Sequence, residues 1–553
     1  MKKILNKTSF AEIVFILSVI ISGAFYEYLS CFLSAAMFAW LVFKTIKEKK
    51  LKFNLSLTSI SILVIIGFYL ISIFWAVDKG MALIGFLKFL PVILYVLILM
   101  QKDDKETILS HLPYIAAIIT IISVVGMQIP KLSSFFSVAD RLAGPFQYPN
   151  TFALFLLVAE ILVFSKEKLS VINIITVLVL LFGIFYTGSR AVLVLTAVSN
   201  FALIFILKNK TVKIALISEI LVASAGLVIY ALIKGGTGAF GRILSISFNQ
   251  STFLGRLLYF GDALPLILKH PFGTGYMGYS YLHKSVQTGV YSVMYVHNDF
   301  LQLILDVGWI PFLAFAAALI KSVVKKGISG CQRLMICVIA AHCCFDFDLQ
   351  FISMFILLLL LLDRNGTEKT LTKSVLHGIV CAAFAVINIY SGIALMLSHA
   401  GKYEISQKLY PFNTQNECYI LMLETNVEKA DMIANDIIRR NENVSAAYSI
   451  KAKAAFSKGD FGSVIKYKNR VFELSPFDYK EYEEYCYMLI KGIELYKDAG
   501  DSKSARICVT ELLKTADTVK NLSGKLSKLG TMIDDQPRTD LPDDINEYIN
   551  SLK

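Results

Sequence analysis

Apolar runs separated by short polar breaks fill the first 398 residues, and after that the pattern changes. The runs fall near 10–25, 29–43, 56–76, 81–100, 112–128, 150–165, 169–187, 191–207, 212–233, 299–320, 332–345, 349–362 and 374–398. About 20 apolar residues cross a bilayer core of ~30 Å as a helix. The pattern therefore predicts an all-α polytopic membrane protein with about 12–13 transmembrane helices, the short runs near 340 and 355 each counted as a crossing. A composition that is 56% hydrophobic, with a mean hydropathy of +0.62, agrees, because a soluble chain of 553 residues is less apolar. The opening MKKILNK and the run after it resemble a secretion signal, but a second run follows almost at once without a convincing cleavage site. We read it as an uncleaved first span.

Charge separates the polar breaks into two kinds. KTIKEKKLK, QKDDK, SKEK, KNKTVK, KSVVKK and the link from Arg364 to Lys373 alternate with breaks on the other side, whose short loops hold only Lys79, Lys131, Arg141 and Arg190 as basic residues. Basic loops stay in the cytoplasm. The net charge of +12 thus reports topology and gives no reason to expect nucleic acid. The N-terminus is expected in the cytoplasm. Segments 131–150, 188–190 and 234–297, and everything after 398, are expected outside. Nine cysteines show no CxxC pair and no zinc spacing, and we read them as small core residues.

From residue 399 the chain is charged and Tyr-rich. AGKYEISQKLYP, TNVEKADMIANDII, KGDFGSVIKYKNRVFELSP and AGDSKSARICVTELL each read as a turn and an amphipathic helix, and the second and third are offset by 33 residues. That is near the tetratricopeptide period of about 34. Ala452, Ala455, Gly459, Phe461 and Pro476 fill the small, turn, aromatic and proline roles. Residues 399–530 are expected to form extracytoplasmic tetratricopeptide-like repeats, either holding a protein partner or capping the 1–398 membrane domain. The end, 531–553, is expected to be loosely held.

The candidate chemistry gathers on the expected outer side. VHNDFLQ puts His297 just before a membrane helix, whose positive N-terminal end favours a neutral, basic imidazole. Asn298, Gln302 and Asp306 recur every fourth residue and share a face that suits protein or a wet cavity. Arg141, Arg190 and Arg256 stand beside the turns GPFQYPN, TGSR and HPFGTG. Arginine at membrane depth needs an anion, and its planar fork fits phosphate. The bland alternative is that each arginine snorkels to the interface or pairs with a structural carboxylate such as Asp140 or Asp262. The turns suggest backbone shaped to approach a ligand. Asn298, Gln302, Tyr259, Asp346 and Asp348 are supporting candidates for positioning the acceptor. The Asp346–Phe347–Asp348 pattern is read as acceptor positioning in preference to a metal pair, and His270 and His283 as loop residues.

GPFQYPNTFA, GSRAVLV, the run from GRLLYFGDAL through HPFGTGYMGY, VHNDFLQLILDVGWIPF and HCCFDFDLQF together resemble the O-antigen ligase and O-antigen polymerase superfamily, in the branch with a tetratricopeptide-like tail. The resemblance covers roughly 130–360. It implies a glycosyltransferase of the type C kind with no cofactor and no metal. The donor would be an undecaprenyl-diphosphate-linked glycan, and the acceptor a hydroxyl on a glycan, lipid or protein. It implies a catalytic role for His297 and a diphosphate-binding role for Arg190, Arg256 and Arg141. Transfer would invert the sugar. Ligase and polymerase both stay open at this point. A lipid-linked oligosaccharide flippase, with ionisable groups near the midplane, and a non-catalytic assembly scaffold are the rivals.

Overall fold

The computed structural model describes residues 9–234, 251–372 and 374–552. The basic N-terminal residues and the first part of the long loop, 235–250, lie outside the described residues. What is described is helical almost throughout, with two small antiparallel ribbons: Leu51–Leu55 with Thr367–Leu371, and Ser137–Val138 with Arg141–Leu142. Five helices are long and apolar enough to cross a membrane: Glu27–Glu48, Leu57–Phe74, Lys79–Gln101, Lys105–Met127 and Leu376–His399. Seven shorter apolar helices accompany them. The chain is an all-α polytopic membrane protein.

Two of the shorter helices form the centre. Every residue of Ile352–Leu361 is buried, as is every residue of Pro149–Phe164 except Asn150. A helix apolar on all sides has to be surrounded by others. Lys105–Met127, Val171–Thr187, Arg190–Ile206 and Gly330–Cys343 pack around Pro149–Phe164, and Lys79–Gln101 packs on Ile352–Leu361. At the periphery, Ser374–His399 lies along Glu27–Glu48 and leaves Leu376, Ile379, Val386 and Ile387 exposed.

The polar loops sort to two ends. At one end the Leu51–Leu55 ribbon, the Arg364–Asp103 pair at 2.8 Å and the Lys325–Asp363 pair at 2.6 Å tie together the lysine-rich breaks. Asn209 likewise donates to the Glu167 carbonyl. The opposite end gathers the turns that carry the arginines, His297 and the two aspartates.

The 299–320 run is not one helix. Asp299–Val307 and Trp309–Val324 meet at Gly308, whose φ is +84° and whose added Cβ would lie 2.5 Å from the Pro271 oxygen. The HPFGTG turn fills this break: the Thr274 and Gly275 amides donate to the Leu305 and Asp306 carbonyls at 2.6 and 3.0 Å, and the Trp309 amide donates to Pro271. At Gly273, φ +86°, a Cβ would meet the Asp306 oxygen at 2.4 Å. These glycines serve backbone packed on backbone, which corrects the expectation that this turn is shaped for a ligand.

After the Ser374–His399 helix, consecutive helices from Tyr403–Leu409 to Ser502–Lys520 pack on one another. Ala430, Ala434, Ile437 and Ala447 fill one small core, and Phe461, Tyr485, Leu489 and Leu512 another. The end is not loose, which corrects that expectation. Asp543–Ser551 is a helix whose Ile545 and Ile549, one turn apart, are buried in the second core. The tail also sits on the membrane domain. The Ser527 amide donates to the Thr288 carbonyl at 2.9 Å, the Asp534 amide to Ser251 Oγ at 2.9 Å, and Tyr410 to the Gly80 carbonyl at 2.9 Å. Ile533 packs against Leu254, Leu258 and Tyr291.

Candidate functional site

The carboxylate of Asp346 is the point on which the site closes. Its loop, between Gly330–Cys343 and Ile352–Leu361, carries it under the turn that begins Pro149–Phe164. Tyr148 donates to Oδ1 at 2.8 Å and Asn150 to Oδ2 at 2.8 Å. From the Ser251–Lys269 helix Arg256 donates to Oδ2 at 3.1 Å, and the His297 Nδ1 lies 3.4 Å from Oδ1. The Asp346 side chain is 1% exposed, while Arg256 and His297 are 20% and 22% exposed. One face of the cluster is thus sealed and the other open. Burial by itself would raise the Asp346 carboxyl; the Arg256 guanidinium and the His297 contact outweigh it and hold that carboxyl well below the usual carboxylate range. Burial and the Asp346 charge push the Tyr148 phenol up, so it remains a donor at neutral pH.

His297 has a φ of +55°, in the left-handed region that a non-glycine residue enters at a cost of about 1–2 kcal/mol. Its neighbours hold it there. The Val296 amide donates to Gln302 Oε1 at 3.0 Å, and Asn298 caps the next helix by accepting from the Phe300 and Leu301 amides. Asn298 also donates to the Cys344 carbonyl at 3.0 Å, which binds the His297 turn to the Asp346 loop. With Nδ1 toward Asp346, Nε2 is the ring nitrogen on the side away from that carboxylate. The ring lies among Phe347 and Tyr259, whose centroids are 5.0 and 6.1 Å away.

The three arginines stand at different removes. Arg256 is on the carboxylate itself. Arg141 donates to the Thr187 carbonyl at 2.7 Å and to Asn150 Oδ1 at 2.8 Å, one hydrogen bond from Asp346. Arg190 reaches Thr252 Oγ1 at 3.2 Å, on the helix that carries Arg256. Arg256 does pair with a carboxylate, that of Asp346, and not with Asp262, which accepts from the Thr288 amide and hydroxyl and from the Tyr291 hydroxyl.

Two supporting candidates are placed differently from the expectation. Asp348 turns inward to Thr151 Oγ1 at 2.7 Å and His342 Nδ1 at 2.5 Å, with both members of the His342–Asp348 pair sealed. Gln302 is buried and donates to Asp306, which also accepts from Tyr69. Acceptor positioning by Asp348 or Gln302 is therefore corrected: packing has closed both off. Tyr148 and Asn150 were missed as site residues although they lie in the quoted GPFQYPN. A deeper group was missed as well. Lys88, fully buried, donates to the hydroxyls of Tyr276 and Tyr295 at 3.1 and 3.4 Å, and Tyr276 donates to Glu27 at 2.5 Å. A lysine in the middle of an apolar run was the signal.

Residues 175–316 match the family model described as O-antigen ligase. The match takes in Arg190, Arg256, Tyr259, His297, Asn298 and Gln302, and leaves Arg141, Asp346 and Asp348 outside. A search of curated proteins finds no match.

Proposed function

From the O-antigen ligase domain at residues 175–316, which supports a place in the O-antigen ligase and polymerase superfamily, we propose that this membrane protein transfers a glycan from an undecaprenyl-diphosphate-linked donor to an acceptor hydroxyl, outside the cytoplasmic membrane. The observation that carries the reading is the convergence of His297 and Arg256 on one buried carboxylate, with an open side toward the loop end of a membrane bundle.

In this reading Asp346 orients the imidazole through Nδ1, and Nε2 accepts the proton of the attacking hydroxyl as its oxygen bonds to the anomeric carbon. The bond from that carbon to the lipid diphosphate breaks on the opposite face, so the sugar inverts. Arg256 keeps N–H groups beyond the one given to Asp346, and with Arg190 and Arg141 nearby it supplies positive charge for the departing diphosphate. General-base catalysis is typically worth ~10² to 10⁴-fold. Diphosphate leaves readily, so the mechanism asks no metal to take part. Tyr259 borders the ring of His297 and is assigned to holding the acceptor sugar.

The test is an in vitro transfer assay with purified protein and a lipid-diphosphate-linked oligosaccharide in EDTA, comparing wild type with His297→Ala. Longer lipid-linked chains made by wild type alone identify a polymerase. Turnover that needs a second acceptor identifies a ligase. Donor that moves between vesicle leaflets without any transfer sinks the glycosyltransferase reading in favour of a flippase.

A further inference from the structure

Away from the site, three helices bring together buried oxygens that have only one another as polar neighbours. Glu160 lies on the central Pro149–Phe164 helix, Asn200 on Arg190–Ile206 and Glu219 on Lys210–Lys234, and all three are buried. Glu160 has Glu219 and Asn200 as its polar neighbours. Glu160 is within side-chain hydrogen-bonding reach of both, and among the described residues no group outside the trio donates to either oxygen of Glu160, either of Glu219 or Oδ1 of Asn200, all of them buried.

The placement is selective. Along the first turns of Lys210–Lys234 only Val212, Leu216 and Glu219 are buried, one stripe with steps of four and three, while Ile214, Ile217, Leu221 and Val222 are exposed. The acid of this helix is thus on its inward stripe, where leucine would pack at no electrostatic cost. Basic groups on the elements packed around the cluster are engaged or distant. Lys166 bonds Tyr114 and Asn173, Arg333 bonds the Lys325 carbonyl, Arg190 is ten residues from Asn200 at the far end of its helix, and Lys210 and Lys213 open theirs. Among the described residues no salt bridge involves either glutamate.

Two adjacent carboxylates in an apolar interior cannot both stay ionised unless a cation joins them. The donor set is oxygen only, which suits a hard cation, and two carboxylates balance one divalent charge. Calcium tolerates the irregular oxygen shells that three separate helices offer, whereas magnesium demands near-ideal geometry and dehydrates reluctantly. We propose that Glu160, Glu219 and Asn200 form a binding site within the bundle for one hard divalent cation of the calcium class, holding the Lys210–Lys234 helix to the central helix. This site is independent of glycan transfer.

The test uses full-length protein in nanodiscs, stripped with EDTA and titrated separately with CaCl2, MgCl2 and NaCl while the melting midpoint is followed. A ligand at a hundred times its dissociation constant should raise the midpoint of the wild type by several degrees. CaCl2 is expected to do so, with MgCl2 and NaCl weaker, and the shift should vanish in Glu160→Gln and Glu219→Gln. Asn200→Ala keeps both charges and should weaken calcium about tenfold, losing one ligand oxygen. It also serves if the glutamine variants do not fold, with ⁴⁵Ca²⁺ binding as the readout. No calcium shift in wild type overturns the proposal, as does an equal shift in the variants. Glutamine variants that melt above an unresponsive wild type overturn it too, because they mark a pair that simply shares a proton.

Discussion

The pairs His297–Asp346 and His342–Asp348 are built from the same chemistry, and their aspartates are two residues apart, yet the fold gives them opposite surroundings. His342 and Asp348 are 1% and 0% exposed and 2.5 Å apart, and the second Asp348 oxygen is taken by Thr151. His297 keeps 22% exposure, its contact with Asp346 is a longer 3.4 Å, and Arg256 shares the same carboxylate. The sealed pair ties two helices together. Under the proposed function, the open pair offers a ring nitrogen and a guanidinium to a substrate that comes from outside. A histidine beside an aspartate is therefore not enough to mark a reaction site; access and a shared cation distinguish the two.

Four variants test this contrast. The largest effect is expected for His297→Ala, with transfer down at least ~10²-fold and the melting midpoint unchanged. If His297→Ala keeps activity while His342→Ala loses it at wild-type stability, the assignment of the two pairs is reversed. Next, Arg190→Lys and Arg256→Lys should each lower transfer about tenfold, because a hydrogen bond to a charged group contributes about 1.5–3 kcal/mol and lysine lacks the fork. Lysine variants as active as wild type would mean that charge alone is needed. His342→Ala should act on the fold. Leaving Asp348 without its partner costs about 1–3 kcal/mol or more, read as a lower denaturation midpoint with transfer per folded molecule near wild type.

The smallest effect concerns a third histidine. His283 is buried and uses Nδ1 toward the Tyr279 and Ser280 carbonyls. Burial, helped by Lys284, holds it down to about 4. An unfolded histidine takes its proton near pH 6.5, so the stability this residue contributes is present above that value and is lost as pH falls toward 4. The melting midpoint should decline over that window in wild type and decline less in His283→Phe. Equal slopes would remove His283 as the cause. Asp346 has the usual carboxylate sign: its contribution holds above the unfolded aspartate value near 3.9 and is lost only in stronger acid. It should thus add no limb to the activity profile between pH 5 and 8.

Much of this arrangement was legible along the chain. His297, Arg256 and Asp346 were each singled out, from a helix start, a turn and a short acidic motif, and they do meet. Asp348 and Gln302 were misread for one reason: spacing tells which residues share a face, and it cannot tell whether that face opens or closes. Tyr148 and Asn150 were missed because a hydrogen-bonding residue in a turn carries no periodic signal. The run at 299–320 hid its break because Gly308 inside an apolar stretch reads as helix until the HPFGTG backbone is seen lodged against it.

The order of apolar runs and lysine-rich breaks was sufficient to fix a helical membrane protein and to sort its loops to two ends, because hydrocarbon thickness and loop charge act locally on the chain. Partnership was different. Which aspartate receives Arg256, which histidine remains open, and how Glu160, Asn200 and Glu219 come together depend on contacts between helices far apart in sequence. Those are set by how side chains of many helices fill one common interior.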